Sequence, residues 1–254
     1  MSNDTLRVIA SKDGYEANAL GNALGYVKAI AEAKKIADPD VILLTHTKQQ
    51  LEHTSIASAL GKGAAKALAS NQRIDLPFGG TLRNETLRTI SPYIANKIII
   101  VGYGEDKILD FVDGITAPAG IVVIPDLPGS ADKWKERWNP TVHGEKRGEA
   151  ATLIDDKVTV SALTTLSKVI NLSTGLSHPR DKEMANEILR ILRTKGHAIE
   201  HEKFKSWAIR NGWKPDGAQQ LAEVAEKIAK LKNNPSLAKI HDPHGRYARW
   251  KEKS

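Results

Sequence analysis

The chain has 254 residues, 37 Lys and Arg against 30 Asp and Glu, a net charge of +7, and no Cys. Residues 1–176 hold 20 basic and 20 acidic side chains, so the whole excess sits in residues 177–254, with 17 against 10. That excludes a uniformly basic protein, a disulfide scaffold and a zinc site built from Cys. At 41% hydrophobic and 26% charged, the composition is that of a globular protein with a sizeable core. No apolar run approaches the ~18–20 residues that span a bilayer. Met1 to Leu6 carries Asp4 and no apolar stretch, so no secretory signal is expected and the expected location is cytoplasmic.

The first part alternates β-rich runs with helical patterns. The runs are Leu6 to Ser11, Val41 to Thr45, Lys97 to Val101 and Gly120 to Ile124. They are apolar on both parities, as strands of a sheet covered on both faces are. Leu20, Leu24, Val27, Ile30 and Ala31 form one helical stripe, stopped by Ala37 to Asp40. Lys48 to Ser70 reads helical, with Gly61 and Gly63 as breaks. Ile74 to Phe78 is a possible strand, and Asn84 is placed to cap a helix running to Ile90. Glu105 and Asp106 open a helix with Ile108, Leu109 and Val112 on one side. Strand alternating with helix predicts a Rossmann-like, mostly parallel α/β sheet of four or five strands. Residues 127–156 read as a long excursion, in which Trp134 and Trp138 share a face of a short helix. Asp155 or Asp156 caps the next helix, through Val160, Leu163, Leu166 and Ile170, which is expected to pack back on the sheet.

Residues 171–180, rich in Ser, Gly and Pro, read as a linker that closes an α/β domain at 170. A small basic all-helical domain follows over 181–234. Its first helix starts at Asp181 and ends at Gly196. Its second runs from Ile199 to Arg210 and stops at Asn211-Gly212. Its third follows Pro215. Residues 235–254 read as a basic tail.

Four stretches in the first part are weighed for chemistry. Gly102-Tyr103-Gly104-Glu105-Asp106-Lys107 sits where a dinucleotide fingerprint would, but Lys107 replaces its third glycine and two acids stand at the helix start. Gly79-Gly80-Thr81, with Arg83 and Arg88, is a better candidate anion cradle through its backbone N–H groups. Gly61-Lys62-Gly63 lacks the spacing of a P-loop. The expected strand ends read Thr45-His46-Thr47, Gly79-Gly80, Gly102 to Asp106 and Pro125-Asp126. There His46 is a candidate general base, with Asp106 or Asp126 to orient it. No cofactor is specified.

In the last part, His197-Ala198-Ile199-Glu200-His201 matches the pattern of inverted zinc proteases, but His197 falls before the helix, so no metal site is expected. Three short helices with a Gly-containing break have helix-turn-helix proportions. Lys203, Lys205, Arg210 and Lys214, followed by Arg246, Tyr247, Arg249, Trp250 and Lys251, combine phosphate-neutralising charge with rings able to stack on bases. The stretch Asn171 to Arg180, the helix to Leu192, and Ser206-Trp-Ala-Ile-Arg-Asn-Gly-Trp213 resemble the C-terminal part of some uncharacterised bacterial proteins. That resemblance implies no activity and is compatible with structural roles for Trp207, Gly212 and Trp213.

The expectation from sequence is a DNA- or RNA-binding protein whose basic helical module contacts nucleic acid, while the α/β domain binds an effector or partner. The competing expectations are an enzyme acting on a nucleotide or phosphorylated small molecule at the strand ends, and a protein-assembly module.

Overall fold

The structure, a computed structural model, describes residues 5–254, so most of the Met1 to Leu6 segment lies outside the described residues. The chain divides into two compact units, 1–150 and 151–254.

The first unit holds β1 (Leu6–Ile9), α1 (Ala19–Ala33), β2 (Asp40–Thr45), a 3-10 turn at Lys48–Leu51, α2 (Ser55–Leu60), α3 (Lys62–Ala69), β3 (Ile74–Asp75), β4 (Thr81–Thr86), β5 (Ile98–Gly104), α4 (Asp106–Asp113), β6 (Gly120–Pro125), α5 (Asp132–Trp138) and β7 (Thr141–Val142). The seven strands form one sheet in the order β3-β4-β2-β5-β6-β1-β7. All neighbours pair in parallel except β3, which runs antiparallel to β4 at the edge. The mostly parallel α/β fold is as expected, with two or three more strands than the apolar runs mark.

Strand alternation divides the core into two layers. Val41, Leu43, Ile98, Ile100, Val122 and Ile124 face α1, α2 and α3 through Val27, Ile30, Ile56 and Leu68. Ile42, Leu44, Ile99, Val101, Ile121 and Val123 face α4 and α5 through Ile108, Val112 and Trp134. Each such side chain contributes roughly 1.5–3 kcal/mol of apolar burial.

Beneath the second layer lies a charged cluster. The fully buried Asp113 carboxylate accepts N–H bonds from Trp134 (3.1 Å), Trp138 (2.9 and 3.0 Å) and Arg137 (2.7 Å). Arg137 also bonds Asp110 at 2.9 Å, and the Arg7 guanidinium stacks on Trp138 at 3.6 Å. Burial pushes the Asp113 carboxyl upward, against Arg137, the Trp138 indole N–H and Arg7. This is what the paired tryptophans of α5 do: they tie it to α4 and β1.

Asn84 caps no helix. It lies inside β4, where Leu82, Asn84 and Thr86 point inward. Its amide N–H donates to the Leu43 carbonyl (2.8 Å) and the Thr45 hydroxyl (3.0 Å), so the strand is anchored to β2 by a polar side chain. The partners of Asn84 lie on the neighbouring strand, which local spacing does not reveal.

The second unit is all-helical: α6 (Lys157–Val169), α7 (Pro179–Thr194), α8 (His201–Arg210), α9 (Pro215–Ala229) and α10 (Pro243–Glu252). Asp156 caps α6 through the Val158 N–H. α6 packs against α7 and α10 and so belongs to the helical unit, where the sequence reading places it in the α/β domain. Gly196 (φ +87°) and Gly212 (φ +90°) end α7 and α8 in the left-handed conformation that glycine tolerates. Trp207 and Trp213 are buried anchors, and the Trp213 indole donates to Ser167 at 2.8 Å. The residues read as a tail form a helix. Asp242 accepts from the Gly245 N–H at 3.0 Å with Pro243 at the first helical position, and Trp250 is buried. No helix among the described residues is long and apolar enough to cross a membrane.

Candidate functional site

Parallel pairing puts the carboxyl ends of β1, β2, β4, β5 and β6 on one edge of the sheet. The chain leaves β2 toward β4 on one side and leaves β5 toward β6 on the other. Adjacent strands with diverging connections open a crevice, which is where open α/β sheets hold ligands.

His46, just after β2, and Glu105, just after β5, meet at this place, with His46 Nε2 3.7 Å from Glu105 Oε1. Their side chains are 27% and 41% exposed, so both reach solvent at the mouth. The His46 turn is held by its N–H bond to the Gln50 side chain at 2.8 Å. At 3.7 Å the pair is too far apart for a hydrogen bond. One ligand hydroxyl can therefore bond to both groups.

The residue opposite His46 is not either expected partner. Asp106 pairs with Lys133 at 2.7 Å. Asp126, half-buried at the end of β6, has its backbone tied to Gly104 and Gly14. Glu105 takes the place because it is the last extended residue before α4 and still follows the strand direction of β5.

The floor beside the pair is stitched by Tyr103. A register shift between Gly102 and Gly104 bulges β5 and sets Tyr103 at φ +57°. Its buried hydroxyl accepts the Ile56 N–H at 3.1 Å and shares a 2.7 Å bond with the Ser55 hydroxyl. Ser55 in turn bonds the Gly14 carbonyl. A Cβ on Gly14 would lie 2.6 Å from the Tyr103 ring, so the loop after β1 reaches this position only as glycine. The Gly102 to Gly104 run thus shapes the edge of the crevice.

Gly79-Gly80-Thr81 lies elsewhere. β3 is antiparallel, so its turn into β4 falls at the amino end of the parallel strands, opposite the crevice. The Gly79 N–H donates to Leu76 (3.1 Å), the Thr81 N–H to Pro39 (3.0 Å), and Gly80 accepts from Leu76 (3.0 Å). Arg83 pairs with Asp40 at 3.3 Å and with Glu85. Asp40 also takes Lys97 at 2.5 Å; burial alone would raise its carboxyl, but Lys97, Arg83 and Arg73 hold it below the ordinary range. The glycines form a hairpin turn and the arginine joins an ion-pair cluster at its foot.

Several basic residues of the second unit have acidic partners of their own. Lys203 pairs with Glu200 at 2.8 Å, and Lys205 and Lys214 are half-buried. Arg210 is exposed and reaches the Ala151 carbonyl at 3.3 Å. On α10, Arg246 bonds Glu187 at 2.6 Å, Arg249 bonds Asp242 at 3.1 Å, and Lys251 is exposed. Trp250, 3% exposed, has no ring face open to a base.

Tyr247 belongs to a cluster that spacing does not reveal. His197 Nδ1 lies 2.5 Å from Asp156 Oδ2, and His197 Nε2 lies 3.0 Å from the Tyr247 hydroxyl. Thr159 also donates to Asp156, at 2.6 Å. Burial alone would raise the Asp156 carboxyl, but the bonds from Thr159 and His197 outweigh it and hold it below the ordinary range. His197 therefore fastens α10 to the start of α6. His201, the second His of the zinc-like pattern, sits beside Glu202 at 3.5 Å.

Residues 155–251, which contain α6 to α9 and all of α10 but its last residue, match a protein family. It is described as a domain of unknown function, DUF1889. The match covers the stretches whose resemblance to uncharacterised bacterial proteins was legible in sequence and extends it to α6 and α10. No curated protein and no solved structure matches the chain.

Proposed function

We propose that the α/β unit binds a small molecule rich in hydroxyl or amino donors, of nucleoside or sugar class, in the crevice between the carboxyl ends of β2 and β5. The observation that carries this reading is the His46–Glu105 pair facing across the point where the connections diverge. Glu105 and Asp126 accept hydrogen bonds from the ligand, and His46 supplies either a donor or an acceptor. The acids Glu105, Asp106 and Asp126 at this edge favour donors over a bare phosphate, which is why a nucleotide's sugar rather than its phosphates is the recognised part. If the bound molecule also reacts, His46 is the general base and Glu105 its orienting partner.

The test is a thermal-shift screen of the full chain against nucleosides, sugars and their phosphates. We expect a neutral hydroxyl-rich compound to raise Tm in the wild type and to lose that effect in His46→Ala and Glu105→Ala. Stabilisation by phosphorylated compounds alone, unchanged in both variants, overturns the reading.

A second reading, nucleic-acid binding by the helical unit, is supported by charge. Residues 151–254 hold 19 Lys and Arg against 12 Asp and Glu, while residues 1–150 hold 18 of each. With Trp250 inside the helical core, such binding rests on phosphate contacts and is sequence-tolerant.

A further inference from the structure

α6 has two faces. Thr159, Ala162, Leu163 and Leu166 are buried in the bundle. On the opposite side, Lys157, Val160, Thr164 and Lys168 recur at three- and four-residue steps and line a groove of about 580 Å³ closed at one side by Lys253 near the end of α10. Val169, at the end of the groove, is 56% exposed, although its side chain is wholly apolar. The lining contains three lysines and no Asp or Glu, and these lysines form no ion pair among the described residues.

We propose that this groove docks an amphipathic helix of a partner protein, with an apolar strip bounded by acidic residues. Charge complementarity selects the partner. Lys157 and Lys168 stand eleven residues apart on one helix, roughly 16 Å at the α-helical rise. Carboxylates three turns apart on a docked helix match that separation, while its apolar strip covers Val160, Val169 and the threonine methyl groups. A nucleic-acid strand calls for a continuous cationic track and stacking rings. The groove lining contains neither Arg nor an aromatic residue. The site lies wholly within the DUF1889 region and its close neighbours in sequence, and does not depend on the crevice of the α/β unit.

The test is selection of helical peptides from a displayed random library against the full chain, with counter-selection on Val169→Glu. The selected peptides are then titrated by fluorescence anisotropy into the wild type, Val169→Glu and the double variant Lys168→Glu/Lys253→Glu. All three substituted side chains are exposed, and circular dichroism checks that the variants keep their helices. We expect selected peptides to carry Asp or Glu at both ends of an apolar i, i+3, i+4, i+7 strip, and to bind each variant at least tenfold more weakly. Failure to enrich peptides over the counter-selection, or peptides that bind the double variant equally well, overturns the proposal. So does self-association of the full chain that Val169→Glu abolishes, which assigns the groove to a second copy. A labelled 20-nucleotide single-stranded DNA whose binding is lost in the double variant and kept in Val169→Glu also overturns it.

Discussion

Asp113 is the residue whose removal should cost the α/β unit most. Its carboxylate collects three different side-chain donors with no water contact, and Arg137 is 4% exposed. Replacing Asp113 with Ala takes from the buried Arg137 one of its two carboxylate partners and from both indole N–H groups their shared acceptor, a change that costs about 3–5 kcal/mol. Urea denaturation of Asp113→Ala should show that loss, whereas a cost below about 1 kcal/mol would mean the cluster is solvated. Tyr103→Phe should cost less, about 1–3 kcal/mol, by leaving the Ile56 N–H without an acceptor. The two tryptophans of α5 were legible as a shared face because they are four residues apart. Their acceptor was not, because Asp113 lies more than twenty residues away and only the packing of α4 on α5 brings it in. The same holds at the crevice. His46 stands out in sequence as a lone titratable side chain after an apolar strand. Glu105 reads as a helix-start acid, and only the neighbouring positions of β2 and β5 in the sheet make the two a pair.

At the level of elements, the apolar strands and the amphipathic helices were legible because burial leaves a period of two or a stripe. β4 was not, because only Leu82 among its six residues is apolar and Asn84 substitutes a hydrogen bond for a hydrophobic contact. α10 hides for the opposite reason. Its charge suggests a solvated tail, while its start, Asp242-Pro243, is a helix signal in plain sequence. Asp242→Ala should weaken that start by about 0.5–2 kcal/mol, seen as faster amide exchange across Gly245 to Trp250 with α8 unaffected. The Asp156–His197–Tyr247 link gives α10 a dependence on acid. Asp156 titrates below its ordinary value when folded, so its contribution is fully present above about pH 4 and is lost as pH falls through the folded value. Stability of the wild type should therefore fall more steeply below pH 4 than that of Asp156→Asn. Parallel curves would show that the link contributes nothing to the fold.

For the whole molecule, the charge asymmetry coincides with the division into units. All of the +7 belongs to residues 151–254, and the α/β unit is neutral. The boundary lies at 150/151 because α6 contributes its buried face to the helical bundle, a choice that the amphipathic pattern of α6 leaves open. If the helical unit binds nucleic acid, the contacts are ionic, and affinity should drop steeply between 50 and 200 mM salt, by about 10³-fold or more for six or more phosphate contacts. Filter binding at a series of salt concentrations measures this, and an affinity that salt leaves unchanged would rule the ionic reading out. The small-ligand reading locates function instead in one crevice of the neutral unit. Its most direct measurement is a titration of the full ¹⁵N-labelled chain, followed by amide NMR, with the nucleoside or sugar that raises Tm most. We predict shifts centred on His46, Gln50, Ser55 and Tyr103 to Asp106, absent in Glu105→Ala. Shifts centred on Gly79 to Thr81, or confined to residues 151–254, would contradict a ligand site between β2 and β5.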